Sequence, residues 1–192
     1  MNGLPMSLNI YNLREDDFEK VVSLTHDVFD KNYTTLNKVE EVYRKGCSKG
    51  INASLVAYDG TREDGRLVGL RLTYAPGNWE IDQWCSPELW RVPPDKVCYF
   101  KTNCIHPDYS GKGLGGTLIK KAIEAVKQQG AEAGIAHIWM NSPHNSAQRY
   151  FTKAGGELVK IWQDKWLEEL PTSTPGRYTL ADVIAAEMII YF

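Results

Sequence analysis

Apolar positions along this chain switch repeatedly between a two-residue and a 3.6-residue rhythm. Ser7 to Leu13 alternates like a short strand, and Phe18, Val21, Val22, Thr25, Val28 and Phe29 then recur at helical spacing. Glu15, Asp16 and Asp17 stand at the start of that stripe, where the helix dipole favours acids. A second helical piece follows around Val39 to Gly46. Ala53 to Tyr58 and Leu67 to Tyr74 read as strands joined by a polar segment carrying Asp59-Gly60 and Asp64-Gly65, the pattern of an antiparallel hairpin. Val97 to Ile105 is the central strand. Leu114, Leu118, Ala122, Ile123 and Val126 stripe the next helix, Lys120, Lys121, Glu124 and Lys127 cover its outer face, and Gly130 ends it. Ile135 to Met140 is a buried strand, so strand, helix and strand make a parallel unit with a right-handed crossover. A short helix from about Asn145 to Lys153 stops at Gly155-Gly156, Leu158 to Trp162 is a further strand, and Glu187 to Phe192 closes the sheet.

Two stretches break the rhythm. Residues 75 to 96 hold Trp79, Trp84 and Trp90 among Glu80, Asp82, Glu88 and four prolines, too irregular for a strand and too proline-marked for a long helix. Such a loop either tucks its indoles onto the core or forms a wall on the acceptor side of a site. Residues 163 to 182, with Pro171 and Pro175, form a variable loop before the last strand. With no internal repeat and no low-complexity linker, the expectation is one α+β domain over residues 1 to 192, built on a mixed sheet.

Composition narrows the class without naming it. Hydrophobic content of 43% and charged content of 24% are those of a globular protein with a real core. A formal charge of −2 offers no general attraction for nucleic acid or membranes, and no apolar run approaches the ~20 residues of a membrane helix. The start of the chain, M-N-G-L-P-M-S, lacks the basic and apolar regions of a signal peptide. Cys47, Cys85, Cys98 and Cys104 have neither disulfide density nor metal-ligand spacing. The expectation is therefore a reduced, cytoplasmic protein that needs no metal.

Candidate chemistry concentrates between Cys104 and Leu118, C-I-H-P-D-Y-S-G-K-G-L-G-G-T-L. The strand breaks at His106-Pro107, a loop with Gly111, Gly113, Gly115 and Gly116 follows, and a helix begins. Backbone N–H groups stripped of side chains can turn toward an anion there, with the positive end of the helix dipole behind them and Lys112 adding a full charge. An NTPase loop needs a Lys-Ser or Lys-Thr after the glycines to hold magnesium, and none is present. The dinucleotide fingerprint G-x-G-x-x-G matches literally at Gly111, Gly113 and Gly116. Its context argues against NAD: His106 to Ser110 intervene after the strand, and the next strand ends in Asn141 rather than in an acid for the ribose.

A third reading fits better. Ile105-His106-Pro107-Asp108-Tyr109 followed by Ser110-Gly111-Lys112-Gly113-Leu114-Gly115 resembles the acetyl-CoA motif of the GNAT (GCN5-related) N-acetyltransferases, with Ser110 where the family usually has Arg or Gln. His144 to Gly156 resembles the family's second motif, N-x-x-A-x-x-x-Y-x-K-x-G-F. Aligned on Ala147, Lys153 and Gly155, His144 takes the usual Asn position and Phe151 the usual Tyr position, with Asn145 and Tyr150 each one residue away. The resemblance implies a GNAT fold: a central mixed, mostly antiparallel sheet of about seven strands, flanked by about four helices and splayed at its two central parallel strands.

It also implies an activity, transfer of an acetyl group from acetyl-CoA directly to a primary amine in a ternary complex. The backbone near Asn103, Cys104 and Ile105 would bond the pantetheine arm like an added strand and polarise the thioester carbonyl. Ser110, Gly111, Lys112, Gly113, Leu114, Gly115 and Gly116 would hold the pyrophosphate, with Asn145 and Phe151 beside the cofactor. In many members the second-motif Tyr protonates the departing thiolate. Phe151 has no proton to give, and Tyr150, about 100° around the helix, substitutes only if the helix is rotated or shifted. The central strand carries no acid, so His137, on the same face as Ile135 and Trp139, is the candidate general base, with Glu80 and Asp82 as alternatives that could instead bind a cationic acceptor. Trp79, Trp84 and Trp90 would suit an aromatic or cationic amine; the acceptor is a small molecule or a peptide N-terminus. Cys104 is expected to pack rather than to act as a nucleophile. A non-enzyme alternative is an acyl-CoA-binding module that has lost turnover. The apolar strand Met188 to Phe192 either pairs across the subunits of a homodimer or is covered within one chain.

Overall fold

The computed structural model describes residues 8–140, 146–163, 165 and 184–192. In chain order the main elements are β1 (Leu8–Asn12), α1 (Phe18–Val28), α2 (Leu36–Gly46), β2 (Leu55–Asp59), β3 (Arg66–Tyr74), β4 (Val97–Ile105), α3 (Leu114–Gln129), β5 (Ala133–Trp139), α4 (Ser146–Lys153), β6 (Glu157–Trp162) and β7 (Ala185–Tyr191). The seven strands form one sheet in the order β1-β2-β3-β4-β5-β7-β6. Every neighbouring pair is antiparallel except β4 and β5. This is the mixed sheet with four helices that the sequence resemblance implied.

Two cores sandwich the sheet. On one face α3 and α4 cover Ala57, Val68, Cys98, Phe100, Ala136, Met188 and Ile190. On the other, α1 and α2 cover Val56, Tyr58, Leu70, Leu72, Tyr74 and Cys104. A third cluster, with Cys85 and Trp90 packed on Val97, Ala133, Ile135 and Ile189, places the 75–96 segment over that second face toward β5 and β7. β3 is buried from Leu67 to Tyr74 because it lies mid-sheet with helices on both sides, which is why its sequence runs apolar without alternation. At the far end, the wholly buried Asp17 accepts from Arg62 Nη1, from the Tyr58 hydroxyl at 2.8 Å and from Arg14 N at 2.8 Å, tying the start of α1 to the β2–β3 hairpin.

Most boundaries fall within two residues of the sequence reading, and three of the differences are instructive. α2 begins at Leu36, a turn before Val39, because Thr35 caps it through Lys38 N. β5 starts at Ala133 rather than Ile135; its first two residues are too small to register as an apolar run. Their size is required, since a Cβ on Gly134 would stand 2.4 Å from Phe100 and 2.6 Å from Cys98. β7 starts at Ala185 and does not close the sheet at an edge. It inserts between β5 and β6 and pairs with both, so the apolar C-terminal strand is covered within one chain. Most of the 163–182 loop lies outside the described residues. Among the described residues no helix is long and apolar enough to cross a membrane.

Candidate active site

β4 and β5 pair only over Val97–Tyr99 and Ala133–Ile135, then separate. From Phe100 onward the β5-side backbone of β4 has no strand partner among the described residues. Phe100, 1% exposed, fills the crotch of this fork, edge-on to Phe151 and Phe192 with centroids 6.1 and 6.5 Å away. Between Leu72 and Thr73 of β3 the β4 register slips by one residue at Lys101. That bulge puts Thr102 on the α1 side and Asn103 on the α3 side, opposite Arg71.

The glycine loop lies beyond the end of β4. Pro107–Tyr109 is a single 3₁₀ turn, held by Asp108 N bonding His106 Nδ1 at 3.2 Å and by the Tyr109 hydroxyl bonding Asp59. Gly111 and Gly113 have φ of +73° and +85°, left-handed conformations that L side chains rarely adopt. Gly113 caps α3, and the first bond within the helix runs from Thr117 N to Gly113 O at 3.0 Å. The N–H groups of Leu114, Gly115 and Gly116 therefore have no helical acceptor. A Cβ built on Gly111, Gly113 or Gly116 meets nothing within 4 Å. Open space around bare N–H groups at a helix start is what a pyrophosphate fills. Asn103 Oδ1 is buried without a partner among the described residues, next to Gly115. Lys112 Nζ is drawn back onto Asp108 O at 2.7 Å, and the Ser110 hydroxyl reaches only His106 O at 3.5 Å. The loop thus offers backbone rather than side chains, and the residues fit a CoA pyrophosphate.

On the opposite face His137 stands two residues past the last position of β5 that pairs with β4. Its Nε2 lies 2.6 Å from Trp84 O, and its Nδ1 lies 3.0 Å from the Tyr99 hydroxyl. A carbonyl only accepts, so Nε2 carries the proton, and in the neutral ring Nδ1 accepts from Tyr99. Burial pushes the imidazole below its ordinary value and the Lys165 charge lowers it further, while the Trp84 carbonyl pulls the other way. At neutral pH the ring is uncharged and its tautomer is set. The Tyr99 hydroxyl and the imidazole are thus joined on the side of β4 that faces away from α3.

The indoles divide into support and surface. Trp79 donates Nε1–H to Val97 O at 2.8 Å and packs between Tyr99 and Trp90. Trp90 is buried and donates to Glu187 Oε1 at 2.9 Å. Trp84 is half-buried, edge-on to Trp162. Glu80 and Asp82 are exposed; Asp82 takes the Trp84 N–H at 2.9 Å and faces Lys165 at 3.9 Å. Cys104 is 1% exposed on the α1 side, and burial pushes its thiol up to about 12, so it has no thiolate to offer. Phe151 is fully buried beneath α4, so any part it plays is as wall. Tyr150, half-buried beside it, accepts a hydrogen bond from Arg71 Nη2. Asn145 lies outside the described residues. Among those residues no group of three or more His, Cys, Asp or Glu side chains is placed to hold a metal.

Three site residues escaped the sequence reading. Tyr99 sits in the central strand and Arg71 in the mostly apolar β3. Glu187 is wholly buried in β7, opposite His137, where it takes Trp90 Nε1 and Ser86 N and so anchors the 75–96 segment. The only signal was a charge at an inward position of a buried strand, at Arg71 and Glu187.

The splayed parallel pair, with a glycine-lined helix start at one end, is the arrangement that the sequence resemblance implied. Residues 9–156 match the model of the acetyltransferase (GNAT) family, and the chain belongs to that family. It is 25% identical over 166 residues to an uncharacterized N-acetyltransferase of Methanocaldococcus jannaschii, an alignment covering 83% of this chain but 66% of that protein, just under two thirds of its length. Among solved structures, Ard1 from Thermoplasma volcanium superposes with a TM-score of 0.66 at 12% identity, covering 97% of this chain and 98% of that one. Arabidopsis thaliana Naa50 in complex with the bisubstrate analogue CoA-Ac-MVNAL gives 0.64 at 15% identity, covering 97% and 100%.

Proposed function

We propose that this chain is a single-domain N-acetyltransferase that moves the acetyl group of acetyl-CoA directly to a primary amine bound on the face opposite α3. The observation that carries this reading is the fork itself. An open glycine cradle and a stretch of β4 with no strand partner among the described residues lie on one side of it, and a neutral, tautomer-fixed His137 on the other. Gly111 to Gly116 would hold the pyrophosphate through backbone N–H groups, and β4 beyond Phe100 would bond the pantetheine arm as an added strand. Acetyl-CoA supplies the acetyl group and a thiol leaving group. The Tyr99 oxygen accepts a proton from the incoming ammonium while Tyr99 passes its own to His137 Nδ1, with the Trp84 carbonyl holding the ring in the accepting tautomer. Trp84, with the exposed Glu80 and Asp82, suits a cationic acceptor, whether a small amine or a peptide N-terminus. The bisubstrate peptide complex of Naa50 supports the peptide option. A net charge of −2 points the same way and away from nucleic acid.

Calorimetric titration with acetyl-CoA, with NADH as control, followed by a screen of amines for CoA release, tests the reading. Micromolar acetyl-CoA binding and turnover on an amine support it. Binding without turnover on any amine would leave an acyl-CoA-binding module, and no binding would remove the cofactor altogether.

A further inference from the structure

Arg71 is the anomaly of the α3 face. Its side chain is 1% exposed in the middle of β3. Among the described residues no carboxylate pairs with it, and its Nε has no acceptor. The guanidinium carbon lies 5.4 Å from the centroid of Phe100 and 5.4 Å from that of Tyr150, and Nη2 donates to the Tyr150 hydroxyl. Burying a cation without a counter-charge costs stability, and an apolar side chain of similar volume at such a place often costs less. Packing alone gives no reason to keep an arginine here.

Hydrogen-bond direction supplies one. A guanidinium has only donors, so the Tyr150 oxygen is committed to accepting from Arg71, and the Tyr150 proton must point elsewhere. α4, which carries Tyr150, packs on β5, while Arg71 stands on β3 opposite Asn103 of β4. The Tyr150–Arg71 bond therefore spans β4 beside the fork, next to the Phe100 that fills its crotch. Phe151, one residue on, is turned into the core with no surface toward the fork.

We propose that Arg71 is a positioning residue for the leaving group: it holds Tyr150 as the proton donor facing the fork, in place of the hydroxyl that Phe151 lacks. This rests on the acetyl-CoA reading above. As the amine nitrogen bonds to the acetyl carbon, the C–S bond breaks and its electron pair stays on sulfur. Tyr150 gives that sulfur its proton, and the phenolate left facing Arg71 regains one from solvent. Of the three protons on the incoming ammonium, one passes to Tyr99 and His137, one leaves the nitrogen as the amide forms, and one remains. Each turnover releases one net proton.

Wild type, Arg71→Met, Arg71→Lys and Tyr150→Phe are compared by ligand-free melting and by calorimetric affinity for CoA and desulfo-CoA at pH 7 and pH 9. Turnover is followed with acetyl-CoA and with an acetyl thioester of a more acidic thiol. The expected wild type prefers CoA to desulfo-CoA, more so at pH 9. Arg71→Met and Tyr150→Phe lose that preference, keep desulfo-CoA affinity, and turn over acetyl-CoA at least about tenfold more slowly, a deficit that shrinks with the more acidic leaving group. Arg71→Met melts no lower than wild type, and Arg71→Lys recovers part of the preference. A lower melting temperature for Arg71→Met with the CoA preference intact would make Arg71 structural and overturn the proposal. If Arg71→Met does not fold, Tyr150→Phe decides: unchanged preference and turnover overturn it. Wild type that binds neither ligand would overturn the cofactor reading, whereas equal binding of both at either pH would overturn only this proposal.

Discussion

Gly116→Ala separates stability from binding at one atom. Gly116 lies in the first turn of α3 with ordinary helical φ, and an added Cβ meets nothing within 4 Å. Nothing in the fold requires glycine there, and a helical glycine costs roughly 0.5–1 kcal/mol relative to alanine. The variant should therefore be the more stable, and for a chain of this size that is about 1–4 °C in melting temperature. The methyl group would stand in the space that a pyrophosphate needs, beside the orphan N–H groups of Leu114, Gly115 and Gly116. Losing one charge-assisted hydrogen bond of about 1.5–3 kcal/mol lowers CoA affinity roughly 10- to 150-fold. Differential scanning calorimetry without ligand and isothermal titration with CoA measure the two effects on one preparation. Unchanged CoA affinity would refute the assignment of this helix start as the anion site. A lowered melting temperature would refute the claim that the glycine is kept for a ligand rather than for the fold.

Two further substitutions test the rest of the site. His137→Gln should cut turnover by about 10²- to 10⁴-fold near neutral pH and should also change how stability depends on pH. Burial lowers the folded-state value of His137, so its contribution is fully present above the unfolded value of 6.5 and is lost as pH falls below it. The melting temperature of wild type should accordingly fall more steeply than that of the variant between about pH 7.5 and pH 5.5, and parallel curves would show that the ring is not held neutral. Phe151→Tyr restores the family residue but buries a hydroxyl where the side chain is fully enclosed, at a cost of about 1–3 kcal/mol and roughly 2–12 °C of melting temperature. Turnover should not rise; a faster enzyme would show that α4 presents residue 151 to the fork.

How far local pattern reaches is clear from particular elements. Val97–Ile105 and the helix from Leu114 were placed correctly because apolar spacing, the His-Pro break and the terminal glycines act within one or two turns of chain. The same locality explains the errors. Ala133-Gly134 and Ala185-Ala186 begin strands with small residues that carry no periodic bulk, and at Gly134 the size is dictated by Phe100 and Cys98, which stand where a Cβ would go. The glycine loop was legible because its positive φ values demand glycine whatever the rest of the chain does.

The fork's side chains follow another logic. Tyr99 and His137 are 38 residues apart, Arg71 and Tyr150 79, and Trp90 and Glu187 97. Each pair meets only because strand register and the two-faced sheet bring them together. Shifting a strand by one residue turns every side chain to the other face, and register is decided by the packed sheet as a whole. Periodicity therefore sufficed for the elements, their order and the cradle at the start of α3. Packing alone decided that the last strand lies inside the sheet, that Phe151 faces the core while Tyr150 meets a buried cation, and that His137 is neutral with its accepting nitrogen toward Tyr99. Burial and hydrogen-bond direction are properties of neighbours in space, and neighbours in sequence do not encode them.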